Sequence, residues 1–175
     1  MTADRATVGV AIAIPEPHAT VLTNWRQRVG DSQAGLTWPH VTLLPPTPLA
    51  RGELPKIEQH LSEAASVAAP FVMHLLGTGT FRPTSPVVFI QVARGVASCE
   101  QLERVIRSGP LLRDLDFPYH PHVTIAHDVS DEALDLAYDG LADFVARFVV
   151  DAFTLFERSD DGEWHRRRDF PLGLP

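Results

Sequence analysis

The stretch Pro39-His40-Val41-Thr42-Leu43 returns almost unchanged as Pro121-His122-Val123-Thr124-Ile125, with the two histidines 82 residues apart. Each copy is rich in β-branched and apolar residues and reads as a strand. In a strand the side chains of residues i and i+2 leave the same face, so each histidine shares its face with a threonine. One such triplet is commonplace. Two in matching frames join a pair of imidazoles to a pair of hydroxyls, an acid/base dyad with hydrogen-bond donors suited to attack at a phosphate diester.

Thr7 to Ile14 is a β-rich run ended by Pro15. A helix is expected from Pro15 to Arg28, with Val21, Leu22 and Trp25 at helical spacing and Gly30 just beyond. Leu36 to Leu44 forms the first motif strand, closed by Pro45-Pro46. A second helix follows over roughly Gly52–Ala69, with Leu54, Ile57, Leu61 and Ala65 on one side. Strands are expected at Phe71–Leu76 and Pro86–Val92, joined by a Gly/Thr/Pro loop. A third helix spans Ser98–Ser108, with Leu102, Val105 and Ile106 facing inward. Tyr119–Ala126 is the second motif strand. Asp131–Phe148 reads as a fourth helix, with Ser130 as cap and acids at its positive end. A hairpin of Val149–Phe156 and Trp164–Phe170 turns at Asp160-Asp161-Gly162. This order predicts an α+β fold of two similar lobes, one motif to each half of the chain. Each lobe is an antiparallel sheet with outer helices, and a central cleft collects both motifs. No linker interrupts the chain, so residues 1–175 are expected to form a single bilobal domain.

With 175 residues, 45% hydrophobic and 21% charged, the composition is that of an ordinary globular protein. No apolar run approaches the ~20 residues of a membrane helix. The first residues, MTADRATVGV, lack the features of a signal peptide, and Cys99 is the only cysteine. A cytoplasmic location and no disulfide are therefore expected. The net charge of −7 and the presence of one lysine, Lys56, against fourteen arginines argue against a broad phosphate-backbone surface. A monomer that grips a small nucleotide or one RNA terminus at a local site is the expectation.

At the duplicated motif the chain resembles the 2H phosphoesterases, in particular the 2′-5′ RNA ligase-like group that includes RNA 2′,3′-cyclic phosphodiesterases. The segment Gly77-Thr78-Gly79-Thr80-Phe81 before Pro86–Ile90, and the tail Phe153–Ser159, are similar to the family's glycine-containing turn and closing hairpin. The resemblance implies opening of a 2′,3′-cyclic phosphate, with the ligation of 2′-5′ ends as the reverse direction. His122 would activate water and His40 protonate the departing oxygen, though the equivalence of the motifs allows exchange. One departure stands out: where many relatives carry arginine three residues after the second threonine, this chain has His127.

The chemistry itself needs no metal or cofactor. Imidazoles with ordinary pKa near 6.5 can be poised one neutral and one protonated, while the hydroxyls of Thr42 and Thr124 bond the non-bridging oxygens. His120, two residues before His122, is a substrate-side candidate; His120-x-His122 is also a metal-like spacing, without acid or cysteine patterned nearby. His127 is expected on the face opposite His122, because their separation is odd. Tyr119 and Phe81 can stack a base, with core packing the first expectation for each. Arg82 and Arg158 are candidate phosphate cations, and Arg166-Arg167-Arg168 reads as a solvated strand face. His18, His60, His74 and His165 carry no partner pattern. The competing classes are a cyclic phosphodiesterase for a small nucleotide such as a cyclic phosphate of ADP-ribose, a non-catalytic nucleotide- or RNA-binding module using the same cleft, and a zinc enzyme.

Overall fold

Strand alternation organises the molecule. In the computed structural model, which describes residues 4–173, eight strands form one antiparallel sheet with four helices. Residues 1–3 and 174–175, at the ends of the expected domain, lie outside the described residues. The elements run β1 (Arg5–Ala13), α1 (His18–Arg28), β2 (His40–Ala50), α2 (Leu54–Ser66), β3 (Phe71–Thr80), β4 (Val87–Arg94), α3 (Val96–Ile106), β5 (His122–His127), α4 (Asp131–Gly140), β6 (Val145–Val150), β7 (Ala152–Arg158) and β8 (Trp164–Pro171). The strand order is β6-β3-β4-β5-β2-β1-β7-β8. The sheet divides into two four-stranded lobes, each with its motif strand, β5 or β2, at the junction. One rung, Val41 opposite Val123, joins them.

The lobes do not follow the halves of the chain. One is built from residues 71–150, the other from the first two strands together with the C-terminal hairpin, which pairs Thr7 with Arg158 and Ala11 with Thr154. Helices cross the junction as well. α1, which follows β1, packs on β5, and α3, which follows β4, packs on β2. Val8, Val10, Ile12, Val41, Leu43, Val123 and Ile125 are buried towards the helices together with Leu22, Leu61, Leu102, Ile106 and Leu134. At about 25 cal/mol per Å² of apolar surface removed from water, this shared core stabilises the junction far more than its single rung does.

Several boundaries differ from the sequence reading, each for a physical reason. β2 runs through Pro45-Pro46 to Ala50, because beyond Val41 its β5 side is open, where a strand tolerates the missing proline N–H. β3 does not stop at Leu76. Gly77 takes φ +66, a conformation that suits glycine, and the register slips between Leu75 and Thr78, so the strand bulges and continues to Thr80. The fourth helix ends at Gly140, and the β-branched run Val145–Val150 becomes edge strand β6, paired with β3 through Phe71 opposite Val150. Its start is as expected, Ser130 Oγ accepting the Ala133 N–H at 3.2 Å. In α3 the buried side holds Cys99, Leu102, Glu103 and Ile106, while Val105 is exposed.

Candidate active site

The two motif strands meet at Val41 and Val123, whose side chains are buried among the helices. The antiparallel register set by this rung puts His40 across from Thr124 and Thr42 across from His122. All four project from the face that carries no helix, and all are half-buried. Directly opposed side chains on such rungs lie ~4.5–5.5 Å apart at Cβ, and the diagonal that joins the two histidines is roughly 7–8 Å. A phosphate fits between imidazoles at that spacing.

Each imidazole is held the same way. His40 Nδ1 lies 2.6 Å from the Trp38 carbonyl, and His122 Nδ1 lies 2.6 Å from the His120 carbonyl. Carbonyls only accept, so Nδ1 carries the proton and the lone pair of the neutral ring sits on Nε2. The residue between is proline in both motifs, Pro39 and Pro121, and its fixed φ leaves the preceding carbonyl turned to the ring. The prolines were visible in the duplicated pentapeptide; the carbonyls they present, including that of Trp38, were not. Trp38 is itself anchored, its indole N–H donating to the Ile14 carbonyl at 2.8 Å.

Burial lowers the pKa of both histidines below the ordinary imidazole value, against the opposing pull of each backbone bond. The Arg26 guanidinium lowers His40 further, and His120 and His40 lower His122. Two neutral imidazoles in electrostatic contact result, either of which an arriving anion can help protonate. Thr42 and Thr124 make no side-chain hydrogen bond among the described residues, which leaves both hydroxyls free for a ligand.

The strands share a second device. β2 gains an extra residue against β1 at Leu43, since Ala11 pairs with Thr42 and Val10 with Leu44. β5 gains one against β4 at Ile125, since Phe89 pairs with Thr124 and Val88 with Ala126. After each bulge the pleat is reversed. His127 therefore returns to the face of His122 and Thr124, opposite Val87, rather than to the far face that its odd spacing implied. It is exposed, with Nε2 3.4 Å from an Asp128 carboxylate oxygen.

On the His122 side a cavity of about 460 Å³ is lined by Phe81, Phe117, Tyr119, His120, His122 and Thr42, with Arg113 and Asp116 among its polar groups. Phe81 stands edge-on to His122, with ring centroids 5.0 Å apart, and to His120 at 5.5 Å. His120 thus shares the side of His122, although β5 begins only at His122 and Tyr119 and His120 precede it. Phe117, 71% exposed, offers an open ring face that sequence reasoning passed over; its place in a loop between Asp116 and Pro118 carried no periodic signal. Tyr119 reaches across the lobes, its hydroxyl donating to the Thr42 carbonyl at 2.8 Å.

The structure does not bring the two arginines to the dyad. Arg82 pairs with Asp135 on α4 at 2.8 Å. Arg158 lies four residues along β7 from Thr154, its guanidinium 5.6 Å from the Trp164 ring centroid. Of the basic run, Arg166 pairs with Asp169, while Arg167 and Arg168 reach Glu58 of α2. The group of Asp161, Glu163 and His165 that comes within metal-binding distance is an exposed turn of the last hairpin, apart from His120 and His122.

An antiparallel sheet presenting two His-x-Thr motifs to one cleft defines a 2H phosphoesterase. The chain belongs to the 2′-5′ RNA ligase superfamily, whose family model matches residues 14–162. A protein of Halalkalibacterium halodurans, provisionally named a phosphoesterase, is 29% identical over 94% of this chain and 96% of its own length. Among solved structures, Escherichia coli LigT superposes with a TM-score of 0.68 at 19% identity, covering 98% of this chain and all of that one. TT0787 of Thermus thermophilus gives 0.63 at 22% identity, covering 95% and 98%. These likenesses establish the α+β architecture. No helix among the described residues is long and apolar enough to cross a membrane.

Proposed function

We propose that this phosphoesterase opens 2′,3′-cyclic phosphates of RNA ends or nucleotides by two-histidine acid/base catalysis. The observation that carries the reading is the pair of imidazoles fixed through Nδ1 to backbone carbonyls, with both Nε2 atoms left to the cleft. The cyclic phosphate sits between them. One neutral histidine takes a proton from water as it attacks phosphorus in line with the departing ribose oxygen. The other, protonated, delivers its proton to that oxygen, and the P–O bond breaks. His122 as base and His40 as acid is the assignment the family resemblance favours. Thr42 and Thr124 donate to the non-bridging oxygens as charge moves onto them, and His127 stands at the rim of the same face.

The nucleobase lies in the cavity of Phe81, Phe117 and Tyr119, where stacking is worth ~1–3 kcal/mol per base. Structures of E. coli LigT complexed with 3′-AMP, with phosphate and with NADP+ support a nucleotide ligand for this fold. The reverse, joining reaction uses the same groups by microscopic reversibility.

The test is turnover of 2′,3′-cyclic nucleotides and of short RNAs with a cyclic-phosphate end, in the presence of EDTA. The parent protein is expected to hydrolyse them undiminished by chelator. His40→Ala and His122→Ala should each lose nearly all activity, and the double variant should be little worse than either single one. Near-parent turnover by either single variant, or activity removed by EDTA and restored by zinc, overturns the proposal.

A further inference from the structure

A second concave site opens from the other end of the same sheet face. It has a volume of about 750 Å³ and is lined by Arg5, Arg51, Arg158, Thr7, Gln33 and His165, with Glu157 and Asp160 as its carboxylates. Register shows its relation to the dyad. Ala11 is paired with Thr42 on one side and with Thr154 on the other. Moving along β1 on the same face, Gly9 is paired with Phe156 and Thr7 with Arg158. Four residues at ~3.3 Å each put Thr7 roughly 13 Å from the rung beside Thr42. Between lies a narrow apolar strip of Gly9, Phe156 and Trp164, which reaches His40 and Thr42.

Strip and arginines are built together. The Trp164 ring lies against β1 at Gly9, where even a Cβ would meet the indole at 3.4 Å, in ordinary van der Waals contact. The Arg158 guanidinium is held over that ring at 5.6 Å from its centroid, a contact that restricts a long side chain before any ligand arrives. Arg51 is paired with Glu157 at 2.8 Å, and Glu157 is shared with Arg167. Arg5 and Arg158 have no ion-pair partner among the described residues. In a chain of net charge −7, two unpaired guanidiniums facing one hollow, on the same sheet face as the dyad, are the groups that recognise phosphate bidentately.

We propose that this hollow binds a second phosphate of the same substrate, displaced by roughly 13 Å along β1 from the rung beside Thr42, so that the preferred substrate is longer than a mononucleotide. This rests on the cyclic-phosphate reading above. The second phosphate has two chemical sources, a phosphodiester of an RNA end or the pyrophosphate of a dinucleotide such as a cyclic phosphate of ADP-ribose.

The experiment compares three substrates: 2′,3′-cyclic AMP, a trinucleotide RNA ending in a 2′,3′-cyclic phosphate, and a cyclic phosphate of ADP-ribose. At least one longer substrate should exceed 2′,3′-cyclic AMP in kcat/KM by tenfold or more, and which one does so identifies the source. In the double variant Arg5→Gln/Arg158→Gln that ratio should fall by about tenfold, with a shallower dependence on salt. Circular dichroism shows whether the variant is folded; a misfolded double variant is replaced by the single Arg158→Lys, which keeps charge but loses the fork and should show the same fall in part. A ratio near one in the parent, or one that the variants leave unchanged, overturns the inference. Should none of the three be turned over, binding of the trinucleotide by fluorescence anisotropy separates the two readings. Weakening by the arginine variants supports the second site without the first, and equal binding overturns it.

Discussion

Replacing Tyr119 by Phe removes one oxygen atom from the junction between the lobes and leaves the ring packed. The motif strands are joined by the single rung of Val41 and Val123, and the Tyr119 hydroxyl, donating to the Thr42 carbonyl at 2.8 Å, works alongside Arg113, which donates to the Pro46 carbonyl and to Thr47 Oγ1, in the polar contact across the seam. Burial pushes the phenol pKa well above its ordinary value, with the neighbouring Cys99, Glu103 and Glu100 adding to it, so the hydroxyl is a donor at any pH at which the protein is studied. Loss of a hydrogen bond to a buried carbonyl costs about 1–3 kcal/mol. For a chain of this length each kcal/mol lowers Tm by roughly 2–4 °C. The carbonyl that relaxes belongs to Thr42 itself, so the hydroxyl of Thr42 and the opposing His122 shift with it. A displacement of ~1 Å at the reacting groups costs on the order of 10²-fold in rate. Calorimetry and kcat/KM on a 2′,3′-cyclic nucleotide should therefore both respond, with activity falling at temperatures where the variant is fully folded. A variant with parental Tm and parental kcat/KM would show instead that packing of α1 and α3 across the seam holds the motifs in register unaided.

Because burial lowers both histidine pKa values, the bell-shaped profile of kcat/KM should have its optimum on the acid side of about 6.5, with limbs belonging to the coupled pair rather than to one residue; an optimum above pH 8 would contradict this. Stability follows with the sign of a depressed histidine. Between the folded values and about 6.5 the unfolded chain binds more protons, so the free energy of unfolding drops as pH falls through that window, and urea titrations of a His40→Gln/His122→Gln variant should show a flatter dependence. Asp31→Ala strips the partner from buried Arg26, held through Nε and Nη2 at 3.1 Å, and should destabilise the protein by about 3–5 kcal/mol, read by chemical denaturation; a loss below 1 kcal/mol would show the pair to be solvated. Thr42→Ala and Thr124→Ala should each lower kcat by roughly 10²–10³-fold while leaving activity measurable, and an unchanged kcat would remove the hydroxyls from the reaction.

The duplicated His-x-Thr was enough, by itself, to place two imidazoles and two hydroxyls on strand faces, because a period of two is a local property of the backbone. Most elements were legible for the same reason: the helical spacing of Leu54, Ile57, Leu61 and Ala65, and the Ser130 cap, are written in neighbouring residues. What needed the tertiary structure is everything set by pairing between distant segments. The extra residues at Leu43 and Ile125 are bulges only relative to β1 and β4, and the second decides that His127 faces the cleft. Val145–Val150 is a strand because β3 offers it an edge, which outweighs the helical continuation expected from local pattern. Arg82 and Arg158 look alike in sequence, yet Asp135 on α4 claims one and the Trp164 ring holds the other at the far end of β7, away from the dyad. The C-terminal hairpin joins the N-terminal strand, so the lobes interleave rather than follow one another. Side-chain spacing along a strand is fixed by covalent geometry, whereas register, bulges and ion-pair partners are settled by which strands and helices meet when the core closes.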